Sequence, residues 1–538
     1  MAFDGQLPAI FGGKEWEIVQ EVLPLRDGRI VVAGIYGPGA GFATGQATPA
    51  VRGDSDGFVA LLSASGQLRW VNTFGGTEDE ISSNDDRIDF AANPIRAGEP
   101  FPRGVSTFPS EAGENVTGLA EGADGSIYVS GIFRGQATFG TRTLDADRDA
   151  AGDGTFFDSF VARFSTGGFY RTLRQIGGPF NDVVTSMKID AAGSVYLAGS
   201  FERRANFSLS GTAQIKNPDG RQDIFAVKYN ANLDRTIWFS KMGGDAFKTE
   251  EIELAQDLAV DPAGNVYLAG TFSSRADFDP SPTRSFILTA KARETGAFTT
   301  KLSPTGQLVW AKSQVGEKFV GNSAIAVAPD GSVYTVGYFE EDAFLDANQP
   351  SRAFTAQPET SDRAPRETDL FITKWGNASG ATQWVKQIRG PLYEMVSGAA
   401  FTSNNRLAIW GSASGNVDFN PNRTRRLLTT PRGDFQGDNN VNGRSFAYSG
   451  FLATYRPDGS VDLARLVNPK GTDKDLFIEA AALRPDGRSF LVGGRFQGGI
   501  SIRRLNSTGP AFERDIPKTD YLDDGFVLIF DQTLNLLS

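Results

Sequence analysis

The chain has 538 residues, with 53 basic and 64 acidic side chains, a formal net charge of −11, and neither cysteine nor histidine. These counts exclude disulfides, thiolate and histidine-based zinc sites, and catalysis by Ser-His-Asp or Cys-His groups. The net negative charge also disfavours nucleic-acid binding, which needs a basic surface.

A short sequence recurs seven times and organises the whole chain. It ends in glycine each time, and the final glycines are separated by 67 to 97 residues. The seven copies occupy residues 27–34, 124–131, 192–199, 263–270, 330–337, 404–411 and 486–493. A recurring unit of this size is typical of a repeat architecture.

One unit, residues 254–315, predicts four short strands. Residues 257–260 form an apolar run, residues 261–264 form a Pro- and Gly-containing turn, and residues 265–272 are rich in β-branched and aromatic side chains. Residues 297–302 and 307–312 predict the third and fourth strands. Four strands in each of seven units predict an all-β fold, a seven-bladed β-propeller with antiparallel strands.

The two ends of the chain are expected to meet in the last blade. Residues 524–530 predict a third strand, and no fourth strand ending in Gly-Gly follows it. Residues 5–13 end in Gly-Gly, as residues 66–76 do. We therefore expect residues 5–13 to complete the last blade and close residues 1–538 into one domain without an open edge. The competing architecture, an open solenoid, has no reason to divide one repeat between its ends.

The segment from Val266 to Lys312, with Asp277-Phe-Asp-Pro280 inside it, resembles the bacterial β-propeller repeats called SBBP repeats. The resemblance covers nearly the whole chain, although blades one, six and seven depart from the pattern. It implies a secreted or surface protein and brings no common activity with it. We therefore expect an extracellular or cell-surface location, although the first 25 residues show no evident signal peptide. The sequence contains no run of 18 apolar residues, so it predicts no membrane-spanning helix.

The long insertions are all expected on one face of the ring. Residues 77–113 join two blades, whereas residues 140–158, 339–369 and 418–449 join second strands to third strands. Because propeller strands are antiparallel, both kinds of connection emerge on the same face. Loops collected on one face of a repeat protein favour a binding face. The alternative is that these loops vary because nothing restrains them.

Two of these loops contain candidate calcium ligands. Calcium takes six to eight hard oxygen ligands, and a loop with oxygen side chains at alternate positions supplies them. The first loop places them at Asp438, Asn440 and Asn442, before a glycine, but has Ser449 where a carboxylate is expected. The second holds Asp145, Asp147, Asp149 and Asp153. The alternative for both loops is a solvated turn, because Asp, Asn and Gly dominate turns.

Several other motifs favour structural roles. Asp277-Phe-Asp-Pro280 and Asp418-Phe-Asn-Pro421 predict turns in which the carboxylate caps backbone N–H groups and the phenylalanine packs inward. Two Arg-Gly-Asp tripeptides, at 52–54 and 432–434, are attributed to chance. Four tryptophans share one position in the fourth strand and are expected to pack between blades: Trp70, Trp238, Trp310 and Trp384.

The first functional hypothesis is a non-enzymatic binding or structural module that presents its loop-rich face to a protein or glycan, with calcium stiffening the loops. A second hypothesis is a subunit of a larger surface, filament or virion assembly. A third is an enzyme that acts on polysaccharide with paired carboxylates. The sequence shows no sialidase-type Ser-x-Asp-x-Gly-x-x-Trp motif, and its acidic residues are too numerous to single out a pair.

Overall fold

A computed structural model shows an all-β protein without helices, in which seven blades of four antiparallel strands form a ring. The predicted fold class is confirmed. The structure describes residues 9–11, 16–38, 51–52, 55–76, 114–146, 156–209, 214–244, 252–291, 294–356, 368–390, 394–420, 427–430, 432–433, 440–441, 444–470, 474–497, 499–503 and 524–537.

In each blade the strands follow one another from an inner strand, through a second and a third strand, to an outer strand. Blade 1 consists of Glu17–Pro24, Ile30–Tyr36, Asp56–Leu62 and Leu68–Gly75. Blade 2 consists of Glu114–Glu121, Ile127–Arg134, Phe157–Phe164 and Tyr170–Ile176. Blade 3 consists of Asp182–Ile189, Val195–Glu202, Gln222–Tyr229 and Thr236–Met242.

The remaining blades repeat this order. Blade 4 consists of Glu253–Val260, Val266–Ser273, Thr295–Leu302 and Leu308–Gly316. Blade 5 consists of Val320–Val327, Val333–Glu340, Thr368–Trp375 and Thr382–Ile388. Blade 6 consists of Glu394–Phe401, Leu407–Ala413, Ser449–Tyr455 and Val461–Lys470. Blade 7 consists of Leu476–Leu483, Ser489–Phe496, Asp524–Asp531 and, as its outer strand, Ala9–Phe11.

The ring is closed by the N-terminal strand, as predicted. Ala9 pairs with Val527 and Phe11 with Gly525, so Ala9–Phe11 covers the outer edge of the last blade. The inner strands of blades 7 and 1 also contact each other, as every other pair of successive inner strands does. This pairing covers the backbone edge of Asp524–Asp531 that would otherwise be unpaired.

Every inner strand carries a β-bulge at the same place, and the bulged residue is polar in all seven. A bulge leaves one residue without a ladder partner and re-aims its side chain. In blade 1 the bulged Gln20 donates from Nε2 to Oδ1 of Asn115 at 2.6 Å, and its Oε1 accepts from the N–H of Val116 at 3.0 Å. These bonds join the inner strands of blades 1 and 2. The seven bulged residues are Gln20, Thr117, Thr185, Gln256, Ser323, Ser397 and Glu479.

Short segments that follow the second strands of blades 2 to 7 link each of these blades to the one before it. In blade 4, Arg275–Asp277 pairs with Ile287–Thr289, and Asp277 exchanges two backbone hydrogen bonds with Gly243 of blade 3, at 2.7 and 3.0 Å. We call such a segment a latch. Equivalent latches join blades 1 and 2, 2 and 3, 4 and 5, 5 and 6, and 6 and 7. The latches give the outer strands a partner in the neighbouring blade.

The fourth-strand tryptophans pack between blades, as predicted. Each indole Nε1 donates to a backbone carbonyl in the third-to-fourth turn of the next blade, at 2.8 to 3.1 Å. The acceptors are Thr166 for Trp70, Pro304 for Trp238, Asn377 for Trp310 and Pro457 for Trp384. The ring is therefore joined by tryptophans on the face that carries the short turns, which we call the turn face. The opposite, loop-rich face carries the latches.

Candidate functional site

The structure describes the side chain of one candidate calcium ligand, Asp145, which lies on the loop-rich face. Asp145 is exposed at the end of the strand Arg142–Asp145, where its carboxylate accepts from Nε2 of Gln136 at 3.0 Å. Asn440 begins the strand Asn440–Val441, but its side chain is outside the description. The other candidates, Asp147, Asp149, Asp153, Asp438 and Asn442, lie outside the described residues.

The two Arg-Gly-Asp tripeptides are described only in part. The guanidinium of Arg52 lies 3.5 Å from the carboxylate of Asp56 in the same blade. Arg432 and Gly433 form a two-residue strand, whereas Asp54 and Asp434 lie outside the described residues. The ion pair gives Arg52 a structural partner.

The structural interpretation of the two Asp-Phe motifs is confirmed. Oδ1 of Asp277 accepts from the N–H groups of Asp279 and Phe286, at 3.0 and 2.7 Å. Phe278 is fully buried. In blade 6, Oδ1 of Asp418 accepts from the N–H of Asn420 at 2.9 Å, and the phenylalanine that follows it is 2% exposed. Each motif therefore caps and anchors a latch.

Acidic residues recur at the junctions between blades, at positions for which the sequence predicted no site, and those whose side chains the structure describes are buried. In five blades the first residue of the inner strand is acidic. In five blades the third strand also has an acidic residue at or near its start, where it pairs with the end of the second strand. The inner-strand acids are Glu17, Glu114, Asp182, Glu253 and Glu394. The third-strand acids are Asp56, Asp158, Asp223, Asp369 and Asp524.

These acids are distributed in pairs, each formed by the third strand of one blade and the inner strand of the next. The junctions between blades 1 and 2, 2 and 3, 3 and 4, 5 and 6, and 7 and 1 have an acid at both positions. The junction of blades 4 and 5 has Gly296 and Val320, and that of blades 6 and 7 has Ser449 and Leu476. Both acids are thus present together or absent together.

The junction of blades 2 and 3 shows how a pair is held. Asp158 is fully buried and accepts from Nε2 of Gln175 at 2.5 Å. Asp182 is 1% exposed, and neither of its carboxylate oxygens accepts a well-formed hydrogen bond within the described ranges. Burial raises the pKa of Asp182 well above its usual value, the charges of Asp158 and Glu202 raise it further, and the backbone N–H groups of Glu202 and Gly178 offset this only in part.

The junction of blades 5 and 6 has the same arrangement. Asp369 is fully buried, and it accepts from the N–H of Gly390 at 3.2 Å and from the amide of Gln387. Glu394 is 2% exposed, and both of its carboxylate oxygens are without a hydrogen bond in the described part of the chain. Burial, followed by the charge of Asp369, raises the pKa of Glu394 well above its usual value.

A basic side chain accompanies the pair at two other junctions. At the junction of blades 3 and 4, Nζ of Lys241 lies 3.6 Å from Oδ2 of Asp223 and stands where Gln175 and Gln387 stand in the other blades. Burial nevertheless raises the pKa of Asp223 to about 7. At the junction of blades 1 and 2, Arg52 provides the positive charge beside Asp56.

Steric crowding at these junctions explains why the outer strands end in Gly-Gly. A Cβ on Gly243 would lie 2.1 Å from Oδ1 of Asp223, so the carboxylate occupies the space of a side chain. A Cβ on Gly178 would lie 1.8 Å from the carbonyl oxygen of Arg204 in the next latch. One glycine therefore admits the buried acid, and the other admits the latch.

Within the described ranges, no three acidic side chains converge as a ready metal-binding group. In the same part of the chain, no helix is long and apolar enough to cross a membrane. The chemistry that the described residues do assemble is a set of two-carboxylate junctions beneath the loop-rich face.

Comparison with known proteins supports the architecture and leaves the family open. No protein-family model matches the chain. An uncharacterized WD repeat-containing protein of Acanthamoeba polyphaga mimivirus is 20% identical over 330 residues, which cover 53% of this chain and 23% of that protein. The match thus spans less than a quarter of the relative's length. WD repeats are propeller blades, so the relative agrees with the observed fold.

Two solved structures of quinohemoprotein alcohol dehydrogenases are similar to the chain at low scores. The enzyme from Comamonas testosteroni is 10% identical in sequence, and the TM-score is 0.38. The match covers 97% of this chain and 76% of the enzyme's chain. An enzyme from Pseudomonas putida is 12% identical in sequence, also with a TM-score of 0.38. The match covers 95% of this chain and 78% of the enzyme's chain. Similarity at this level carries no argument about activity.

Proposed function

We propose that the ring is a non-enzymatic binding module that presents its loop-rich face to a protein or glycan outside the cell or at its surface. The observation that carries this proposal is the set of latches. In blades 2 to 7 the connection after the second strand begins with a segment bonded to the preceding blade. Variable loops that start from fixed points on a rigid scaffold are the usual construction of a binding surface.

The burial of the junction acids argues against their use as a polysaccharide-cleaving pair. A glycosidase needs both carboxyl groups within reach of the scissile bond. Asp158 and Asp369 are fully buried, and Asp182 and Glu394 are at most 2% exposed. A sugar ring has no access to groups buried to this extent.

The proposed location follows from the resemblance to SBBP repeats and from composition. A chain without cysteine, with an acidic balance of −11, is compatible with an oxidising, extracellular setting. Fractionation of the native source into medium, surface and cytoplasm tests the location. Recovery confined to the cytoplasm would contradict it.

We further propose that calcium orders the loops on this face. The hairpin that ends at Asp145 leads into the acidic segment with Asp147, Asp149 and Asp153, and the loop with Asp438, Asn440 and Asn442 is its counterpart in blade 6. Hard oxygen ligands on alternate residues suit this cation. A variant with asparagine in place of all four aspartates of the loop that begins at Asp145 is expected to lose calcium-dependent protection of that loop from a protease, with the wild-type chain as control.

The binding face is tested by exchanging loops. Residues 357–367 and 421–426 are replaced by Gly-Ser linkers of the same length, and the control is a turn-face variant, Thr305→Lys. Binding is measured on a glycan microarray and against a panel of polysaccharides and secreted proteins. The proposal predicts that loop exchange weakens binding at least tenfold at an unchanged melting temperature, whereas T305K binds normally. Binding that survives both loop exchanges would refute it.

An assembly subunit is the second candidate function, because blades 3 and 4 expose large apolar side chains on their rims. Ile237 and Val309 hold the same position in successive outer strands, and each is 45% exposed. Ile215, Phe286 and Ile287 in the neighbouring latch regions are 38 to 40% exposed. Exposed apolar groups that recur in this way mark a contact surface. Sedimentation of the wild-type chain and of I237K/V309K tests this: an oligomer that dissociates in the variant supports assembly through the rim.

A further inference from the structure

The joint presence or joint absence of the two junction acids indicates that they act as one unit. Two carboxylates buried side by side repel each other, and each loses its hydration, so neither is retained for stability by itself. The junctions with Gly296 and Val320, and with Ser449 and Leu476, show that the fold closes without either acid. Five junctions nevertheless keep both acids, which implies a shared occupant that neutralises them together.

At the junction of blades 3 and 4 the protein supplies a positive charge itself. Lys241 lies 3.6 Å from Asp223, while its equivalents Gln175 and Gln387 donate amide N–H groups that carry no charge. The second acids at those two junctions, Asp182 and Glu394, are almost fully buried and accept no well-formed hydrogen bond in the described part of the chain. An ionised carboxylate in that position needs a counter-charge.

We propose that Asp158 and Asp182 bind a hard divalent cation of the Ca²⁺ class between blades 2 and 3, and that Asp369 and Glu394 bind a second between blades 5 and 6. Carboxylate oxygens are the preferred ligands of such cations, and backbone carbonyls and water complete their coordination. Each site joins the third strand of one blade to the inner strand of the next. The cations therefore brace the ring directly beneath the loop-rich face. This proposal concerns other residues than the calcium loops and does not rest on the proposed function.

A shared proton is the competing occupant, and the Asp182→Asn substitution separates the two. An asparagine side chain has the shape of a protonated aspartate and donates a hydrogen bond to Asp158, so it replaces a shared proton without loss. It is a poorer calcium ligand, because it brings a neutral oxygen in place of a charged one. A cation site therefore predicts that the variant is less stable than the wild type in saturating Ca²⁺, and a shared proton predicts that it is at least as stable there.

The experiment uses the full chain, stripped of metal and titrated with Ca²⁺ up to about 1 mM, the range of extracellular calcium modules. Bound calcium is counted calorimetrically, and melting temperatures are recorded with Ca²⁺ and with excess chelator. The wild-type chain is expected to melt several degrees higher in Ca²⁺. D182N is expected to bind one Ca²⁺ fewer and to lose part of this rise, and D182N/E394Q two fewer.

Two further variants keep the result independent of misfolding. D158S/D182L copies the residues of the junction between blades 6 and 7, so it is expected to fold and to bind one Ca²⁺ fewer. Asp330→Asn removes an exposed carboxylate from a turn-face loop and is expected to bind as the wild type does. Calcium counts unchanged in D182N and D158S/D182L, or a D182N variant that melts at or above the wild type in saturating Ca²⁺, would overturn the proposal.

Discussion

The indole of Trp238 in blade 3 lies directly against Gly306 in the third-to-fourth turn of blade 4. Nε1 donates to the carbonyl of Pro304 at 2.9 Å, and a Cβ on Gly306 would lie 2.9 Å from the ring. Gly306 has φ +79°, a backbone conformation that residues other than glycine rarely adopt. The same contact joins Trp70 to Gly168 and Trp310 to Gly380. Tryptophan and glycine together therefore fasten each of these blades to the next.

Gly306→Ala is expected to destabilise the protein by about 2 to 4 kcal/mol, because left-handed strain adds to overpacking against the indole. Chemical denaturation measures the loss. Gly28→Ala is the matched control: Gly28 has φ +89°, but a Cβ there would lie 3.8 Å from its nearest neighbour, so only the strain of about 1 to 2 kcal/mol is expected. Equal losses in the two variants would mean that the indole contact contributes nothing.

Asp277→Ala is expected to loosen the latch of blade 4 without unfolding the ring. The substitution removes the acceptor of the N–H groups of Asp279 and Phe286, which costs about 1 kcal/mol locally. Hydrogen exchange should quicken in residues 275–289 and in the outer strand of blade 3. Arg284→Ala, which breaks only a surface ion pair with Asp279, is the control and should leave exchange in that outer strand unchanged.

Asp223 should make stability depend on pH. Burial raises its pKa to about 7 from a usual value of 3.8, so the protonated form stabilises the fold. That contribution is complete below about pH 4 and is lost as the pH rises through about 7. Relative to Asp223→Asn, which stays neutral, the wild-type chain is expected to lose about 2 to 4 kcal/mol between pH 5 and 8. Chemical denaturation at several pH values measures the free energy of unfolding of both chains. If this free energy changed equally with pH in the two chains, the assignment would be contradicted.

Deletion of residues 1–13 is expected to lower the melting temperature and to cause association, because it uncovers the outer edge of Asp524–Asp531. A synthetic peptide of residues 5–13 should restore the wild-type melting temperature when added in excess. A scrambled peptide of the same composition is the control. Restoration by both peptides, or a deletion variant as stable as the wild-type chain, would show that this strand does not close the ring.

The features that sequence predicted well are those that repeat at a fixed position. Residues 297–302 alternate between apolar and polar, and the structure places them in the strand Thr295–Leu302. Trp238 and Trp310 stand at the same place in successive repeats, so a common inter-blade environment follows directly. The cap formed by Asp277 is local in sequence, and local hydrogen bonds are visible in a motif.

The latches and the acid pairs were not predicted, because their partners belong to different repeats. Asp277 bonds to Gly243, which ends the preceding blade, and a three-residue segment has no alternation to reveal a strand. Asp158 and Asp182 each resemble an ordinary strand-end carboxylate. Their relationship becomes visible only when the third strand of one repeat is compared with the first strand of the next.

The most direct test of the proposed function asks which face of the ring binds. Since the chain has no cysteine, Thr305→Cys on the turn face and Thr283→Cys on the loop-rich face each provide a unique attachment point. Each variant is immobilised through its new thiol, and binding of a glycan or protein identified in the loop-exchange experiment is measured by interferometry. We predict binding to the chain held through position 305 on the turn face and little binding to the chain held through position 283 on the loop-rich face. Equal binding in both orientations, or binding only when the turn face is free, would contradict the proposed function.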